Sequence, residues 1–409
     1  MFCSFLGGSE GCLYFWQNGK LSLCERGLSD ANFAAIAAND HIVTWQYLPA
    51  LDSISFPVEY MKLRCAGRCV GDVCPSELGG EWQEVTSRIE AFLRSFYEIK
   101  ISLTMSDLCK YQAIPEELIF RYLALQTKII QHVYENYRSP TNYDLMLNLW
   151  KLSYKLAKQK LNLNFGNIQQ HILSKRARRL IAAEPYVCYD IFTSRTGRLK
   201  TQKSSFPVLS FDKELRACLV PRNDLLIELD FSAFEPSCFL RLLGQPLPEG
   251  DLHAWHQRLW NMPTREAAKQ AIMHWLYGSS ALQSELETIY CGSELKELFW
   301  NKDKQEVNTL FGRKIENVDE FHAIPYIVQS TAADIMNEQM VQVDKLLAQK
   351  RSRIVFSMHD ALLLDFAEED KNLIKEIMRT MKNTRLGELK VRARIFKKHY
   401  GEYQTEYRL

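Results

Sequence analysis

Three patterns of apolar and polar positions succeed one another along this chain. The first is two-residue alternation. In LYFWQNGKLSLC (13–24), two alternating runs flank Asn18-Gly19, the pattern of a β-hairpin closed by a tight turn. A short Ala-rich helix over Ala31 to Ala38 and a strand around Ile42 to Trp45 are predicted next, and CPSELGGEW (74–82), with its proline and paired glycines, reads as a linker. The second pattern runs from Trp82 to about Ala183 with a helical period. Leu118, Tyr122, Leu125, Ile129 and Val133 mark one apolar face, and a later run from Leu145 to Leu161 carries Lys151, Lys155 and Lys158 on its opposite side. After Pro185 the third pattern mixes short strands with helices. LLIELDF (225–231) and RIVFSMHDALLLDF (353–366) read as strands, whereas 263–278 and 325–349 read as helices. No repeat or low-complexity tract interrupts them, and the class is α+β.

Composition adds little until charge is read locally. The 409 residues are 46% hydrophobic and 24% charged, which fits a globular protein and leaves room for two or three lobes. The net charge of +2 conceals a basic stretch. Between Lys151 and Lys203 there are twelve Lys or Arg against two acids, Glu184 and Asp190. Such an excess suits a polyanionic partner, and it also suits a solvated helix face. No apolar run reaches the roughly 20 residues of a membrane span, so a membrane is not expected as a partner and a cytoplasmic location is. The eleven cysteines show no disulfide framework and no secretory leader precedes them. Cys65, Cys69 and Cys74 are the only cluster; with Cys12, Cys24 or His41 they could complete a zinc site, but their spacing is not that of one, and reduced thiols are the simpler reading.

Two acids stand in unusual company. His359-Asp360 interrupts an otherwise apolar run, and Asp230 closes another. A carboxylate in such a setting needs a base or a cation, because its burial alone costs several kcal/mol. If a sheet brings the two together, they would hold two Mg²⁺ ions roughly 4 Å apart; without cations, one of the pair would have to protonate. On spacing alone, two unrelated strand-end acids remain the plainer account. Between them, Arg265, Lys269, Met273 and Tyr277 recur at four-residue steps and form one slowly rotating helical stripe. Two cations at one end of it suit a triphosphate. A cationic solvent face would explain the cations equally well, but not the Tyr277-Gly278 ending.

In order along the chain come TGRL (196–199), DFSAFE (230–235), DLH (251–253), REAAKQAIMHWLYG (265–278), FGRK (311–314), QSTAAD (329–334), MHDALLLDF (358–366) and VRARIFKKHYGE (391–402). From about Thr193 to the C-terminus this succession resembles the family A DNA polymerases, the DNA polymerase I type. The resemblance implies a right-hand fold: a palm with an antiparallel sheet (186–240 and 323–409), helical fingers (241–322) and a helical thumb-like region (81–185), preceded by a small α/β region (1–80). It also implies a template-directed DNA polymerase that extends a primer 3′-hydroxyl with dNTPs. Carried over residue by residue, Asp230 and Asp360 hold two Mg²⁺ ions, with Mn²⁺ equally suited to such ligands. Arg265 and Lys269 grip the triphosphate with His253 nearby, and Tyr277 and Met273 lie at the nascent pair. Glu235 pairs with the fingers tyrosine and blocks a ribose 2′-hydroxyl. Arg198, Gln329, Arg216 and Arg313 contact primer-template DNA, and His359 positions the primer end.

The chain departs from the family pattern at several places. Met273 replaces a usual Phe or Tyr, His274 a Gly, Ala361 an acid, Pro236-Ser237 a Leu-Arg pair, and Pro325 an Asn; of the segment before the first metal motif only FPVLS is left. Met273 and Ala361 look more like single-subunit RNA polymerases, so an RNA or mixed-nucleotide polymerase or primase of the same fold is the alternative, with an inactive primer-template-binding scaffold as a third reading. Some 80 N-terminal residues are too few for a proofreading exonuclease domain, and HIVTWQYLPALD faintly resembles part of one. The expectation is a reduced, phage- or mobile-element-like polymerase without proofreading, working in replication or repair with a processivity or exonuclease partner.

Overall fold

The computed structural model describes residues 2–5, 12–17, 20–24, 57–98, 115–203, 205–278 and 286–408. The chain divides into two compact units, 1–143 and 144–409.

The first unit opens with a three-stranded antiparallel sheet, β1 (Phe2–Phe5), β2 (Cys12–Gln17) and β3 (Lys20–Cys24), in that spatial order. Gln17 pairs with Lys20, so β2 and β3 form the hairpin that the alternation predicts. The predicted helix at 31–38 and strand at 42–45 lie outside the described residues. Among the described residues, the α-helices α1 (Pro57–Arg64), α2 (Ser76–Glu98) and α3 (Glu116–Asn136) follow. The supposed linker at 74–82 is therefore corrected: α2 starts at Ser76 and takes in Gly79 and Gly80. Each interior glycine costs about 1 kcal/mol against alanine, but the burial of Val85, Ile89 and Leu93 further along the helix outweighs that cost. Met61, Cys65, Val70, Val73, Ile129, Ile130 and Val133 form a core here. Burial pushes the Cys65 thiol up to about 11, which keeps it protonated and a poor metal ligand.

The second unit begins with α4 (Tyr143–Ala157) and α5 (Lys175–Ile181). Its centre is a five-stranded antiparallel sheet. The strands are β4 (Leu225–Phe231), β5 (Arg353–Met358), β6 (Ala361–Phe366), β7 (Val391–Phe396) and β8 (Thr405–Arg408), in the spatial order β5-β6-β4-β7-β8. The run 353–366 is thus two strands. Met358 pairs with Ala361, leaving His359-Asp360 as a two-residue turn with His359 in the left-handed region at φ 54°.

Around the sheet lie α6 (Phe234–Leu242), α7 (Leu252–Leu259), α8 (Arg265–Leu276), α9 (Gly292–Phe299), α10 (Glu320–Leu346) and α11 (Ile374–Lys382). Thr264 caps α8 by accepting the Ala267 N–H at 3.1 Å. The helix stops at Gly278, whose φ is 101°. A Cβ there would lie 2.1 Å from the Phe321 ring, so both backbone and space require glycine. The predicted start of α10 at Pro325 is too late. The helix starts five residues earlier, at Glu320, where Asp319 caps it by accepting the His322 N–H at 2.9 Å. Ile272, Trp275 and Leu276 of α8 pack with Phe239, Leu252, Tyr290, Leu295, Ile327 and Val328. No described helix is long and apolar enough to cross a membrane.

Candidate active site

The register of the central sheet brings the two singled-out acids together. Asp230 lies across from Ala361 on β6, and the Phe231 N–H donates to the Asp360 carbonyl at 3.1 Å. Asp360 therefore sits at the hairpin tip beside the end of β4. Burial, then the negative charge of Glu235, push its carboxyl up to about 7; Arg198 pulls it down and Asp230 pushes it up again. Asp230 is also raised, first by burial, although the neighbouring Arg392 opposes this. Neighbouring carboxylates whose charges disfavour each other could serve as donors to a divalent cation. Among the described residues no three His, Cys, Asp or Glu side chains converge into a cage. Two carboxylates leave the other coordination positions to water and phosphate oxygens, the way Mg²⁺ is commonly bound.

A second cluster lies against the first. Ala233 takes a left-handed conformation at φ 47° where β4 turns into α6, and this aims Glu235 inward from the first helical turn, with 4% of its side chain exposed. One Glu235 oxygen is ion-paired with Arg198. The other accepts from the Tyr277 hydroxyl at 2.7 Å, and that hydroxyl accepts from the Gln329 amide at 2.8 Å. Burial and then Glu235 push the Tyr277 phenol up to about 12. Four residues from four motifs thus form one hydrogen-bonded chain, Arg198–Glu235–Tyr277–Gln329. Phe234 stacks on Phe231 with ring centroids 4.2 Å apart, which fixes the strand-to-helix corner that carries Glu235.

Along α8 the stripe is distributed unevenly. Arg265 is held by Asp251 through two bonds, of 2.9 and 2.8 Å. Burial would raise the Asp251 carboxyl, but Arg265 and the Ala254 N–H hold it down at about 2. Lys269 is exposed, with no ion-pair partner among the described residues, and Met273 is half-buried. His253 is buried with its Nδ1 unpartnered, and burial followed by Arg265 pushes it down to about 4, so it is neutral.

The remaining candidates have varied surroundings. Arg313 donates to Asp334 at 3.1 and 2.6 Å, with only 12% of its side chain exposed and none of that of Asp334. The guanidinium lies against Gly197 so closely that a Cβ there would be 2.3 Å from its Nη2. Arg216 stacks over Tyr400 at 5.1 Å and donates to the Phe211 carbonyl at 3.2 Å. His359 is exposed, with Nε2 3.2 Å from the Leu209 carbonyl. Asn337, which sequence reading overlooked, donates to the Gly197 carbonyl at 3.1 Å and pins the loop before Arg198 from the other side. Arg392, on Asp230, was overlooked too. Its alternation with Arg394, facing the Glu228 and Asp230 alternation of β4, was the available signal.

Residues 300–402 match the model of DNA polymerase family A. DNA polymerase I, thermostable, of Thermus filiformis is 29% identical over 237 residues, 45% of this chain and 28% of that protein, so the chain spans less than a third of this curated relative. The solved POL domain of Pol1 from M. smegmatis, in complex with DNA primer-template and dNTP, superposes with a TM-score of 0.64. It has 14% identity and covers 98% of this chain and 96% of that one. The fold is the right-hand polymerase fold, and the motif resemblance to family A DNA polymerases is borne out.

Proposed function

We propose that this chain is a template-directed DNA polymerase that extends a primer 3′-hydroxyl with dNTPs. The observation that carries the reading is the adjacency of Asp230, at the end of β4, and Asp360, in the turn that leads into its partner strand β6, next to the Arg198–Glu235–Tyr277–Gln329 chain. Asp230 and Asp360 would hold two Mg²⁺ ions, or Mn²⁺, whose charge would lower the pKa of the attacking hydroxyl and neutralise the transferring phosphate. The protein's own share is positioning. Lys269 is free to take a phosphate, and Arg265 joins it on leaving Asp251. Neutral His253 offers a donor to the same phosphates, and Tyr277 and Met273 form the platform for the base. Arg198 and Gln329, held through Glu235 and Tyr277, would contact the primer-template minor groove, with Arg216 and His359 acting on the primer side. Arg313 serves this reading by supporting the Gly197-Arg198 loop.

Buried Glu235 favours deoxyribose, because a 2′-hydroxyl pressed against an already saturated carboxylate would lose its solvation without gaining a partner. The regions 81–185, 186–240 with 323–409, and 241–322 would act as thumb, palm and fingers. The small region 1–80 would supply no proofreading, and a partner protein would supply processivity. A cytoplasmic enzyme of replication or repair fits this role.

The test is extension of a labelled primer on a DNA template with Mg²⁺ and either dNTPs or rNTPs, with Asp360→Asn alongside. Growth with dNTPs alone, lost in the variant, supports the reading. Equal growth with rNTPs would shift it to an RNA polymerase or primase. Tight primer-template binding without growth would leave a scaffold.

A further inference from the structure

None of the roles above uses Arg392, which lies directly across from Asp230 on β7. Its guanidinium is ion-paired with the Asp230 carboxylate, and 28% of its side chain is exposed. Its Nε is buried without a hydrogen-bond partner, a costly arrangement for a charged group. The next arginine on the same face, Arg394, is engaged differently. It donates to Glu228 at 3.0 Å and to Glu406 at 2.8 Å. The Tyr400 hydroxyl also donates to Glu228, and Arg216 lies 4.0 Å from it. Glu228 is therefore neutralised without Arg392, whose one acidic partner among the described residues is Asp230. A strand that needed only packing at this position would carry an apolar residue, since a buried ion pair seldom outperforms one in stability.

Resting on the polymerase reading, we propose that Arg392 is a resident counter-charge for the metal-binding carboxylate Asp230. It orients Asp230 while the site holds no cation, and it weakens divalent-cation binding until a nucleotide brings its own negative charge. A fixed positive charge within a few ångströms of a ligand oxygen repels a divalent cation strongly enough to lower its affinity about tenfold. The phosphates of an incoming nucleotide offset that repulsion, so cation and nucleotide bind with positive coupling, each raising the affinity of the other. Arg392 is thus a positioning residue that makes cation loading depend on substrate.

The experiment is Mn²⁺ binding to the full, nucleotide-free chain, followed by the electron paramagnetic resonance of free Mn²⁺, with circular dichroism to verify folding. Arg392→Gln is expected to bind Mn²⁺ about tenfold more tightly and to lose most of the gain that added dNTP gives the native chain. Arg392→Lys, which keeps the charge, should bind as the native chain does; Arg392→Met serves if the glutamine variant does not fold. Native-like or weaker binding in a folded Arg392→Gln overturns the proposal. Asp230→Asn and Asp360→Asn separate the two failures. If they bind Mn²⁺ like the native chain, the metal reading itself falls. If they lose binding while Arg392→Gln is unchanged, only the counter-charge falls.

Discussion

Replacing Arg313 by methionine removes a charge and keeps most of the side-chain length, so the consequence falls on Asp334. That carboxylate has no exposed surface and receives both of its guanidinium bonds from Arg313. Removing one partner of a buried pair costs about 3–5 kcal/mol, chiefly because the remaining charge is neither solvated nor paired. Burial already raises the Asp334 carboxyl against the pull of Arg313, and without Arg313 it rises further. The sign follows from proton uptake. A folded-state value above the unfolded one means that the folded protein holds the proton more tightly, so the variant is least impaired in acid. Its deficit opens as pH climbs from the ordinary carboxylate value of 3.8 and is complete above the raised one. Urea unfolding of native, Arg313→Met, Asp334→Leu and the double variant at pH 5 and pH 8 measures this. We expect a loss of about 3–5 kcal/mol at pH 8 for Arg313→Met, and a double variant that recovers all but about 1 kcal/mol. A single variant within about 1 kcal/mol of native at pH 8, or a double variant no better than the single, would refute the reasoning. Primer extension should fall in parallel, because the same guanidinium supports the Gly197-Arg198 loop.

Gly197→Ala tests that support from the other side. A side chain at φ 77° whose Cβ lies 2.3 Å from the Arg313 Nη2 should cost about 2–3 kcal/mol in urea unfolding; a neutral result would mean that the loop and the arginine are not in contact. Glu235→Ala should raise rNTP incorporation at least about tenfold relative to dNTP in single-nucleotide addition, by relieving a polar mismatch worth about 1–3 kcal/mol; an unchanged ratio would remove Glu235 from sugar choice. In metal-free buffer, Asp360 makes the chain most stable below the ordinary carboxylate value of 3.8 and progressively less so as pH rises through about 7. Melting temperature against pH, with Asp360→Asn as the flattened and more stable comparison at pH 8, checks it; identical pH curves for the two would count against the perturbed carboxyl.

Local pattern was enough for the elements and for much of the site. LLIELDF is a short apolar run with clear limits, and β4 spans the same seven residues. The four-residue stripe on α8 is a property of the helix alone, and Thr264 and Gly278 stop it where capping and a left-handed φ dictate. Local signals misled where a competing physical term was stronger. Two glycines in CPSELGGEW read as a linker, yet the buried face of α2 carries the helix through them. Pro325 read as a helix start, yet the Asp319 side chain begins α10 a turn earlier and the helix continues past the proline.

What stayed hidden is cross-strand register, because it joins residues far apart in the chain through hydrogen bonds that no local period records. Arg392 and Asp230 are 162 positions apart, and only the pairing of β7 with β4 reveals that the strand-end acid already has a cation beside it. Periodicity gives the face on which Arg392 and Arg394 lie, but a shift of the pairing by two residues would keep both on that face and could set Arg394 across from Asp230, with Arg392 beyond it across from Ser232. The distinction matters chemically. In the observed register Arg394 bridges Glu228 and Glu406, while Arg392 is left to Asp230 alone. A slipped register would put the bridged arginine on Asp230 and take away the free-standing counter-charge. Whether Asp230 meets a divalent cation as an open carboxylate or as one already held is therefore decided by strand pairing, and the chemistry of the site depends on the whole sheet.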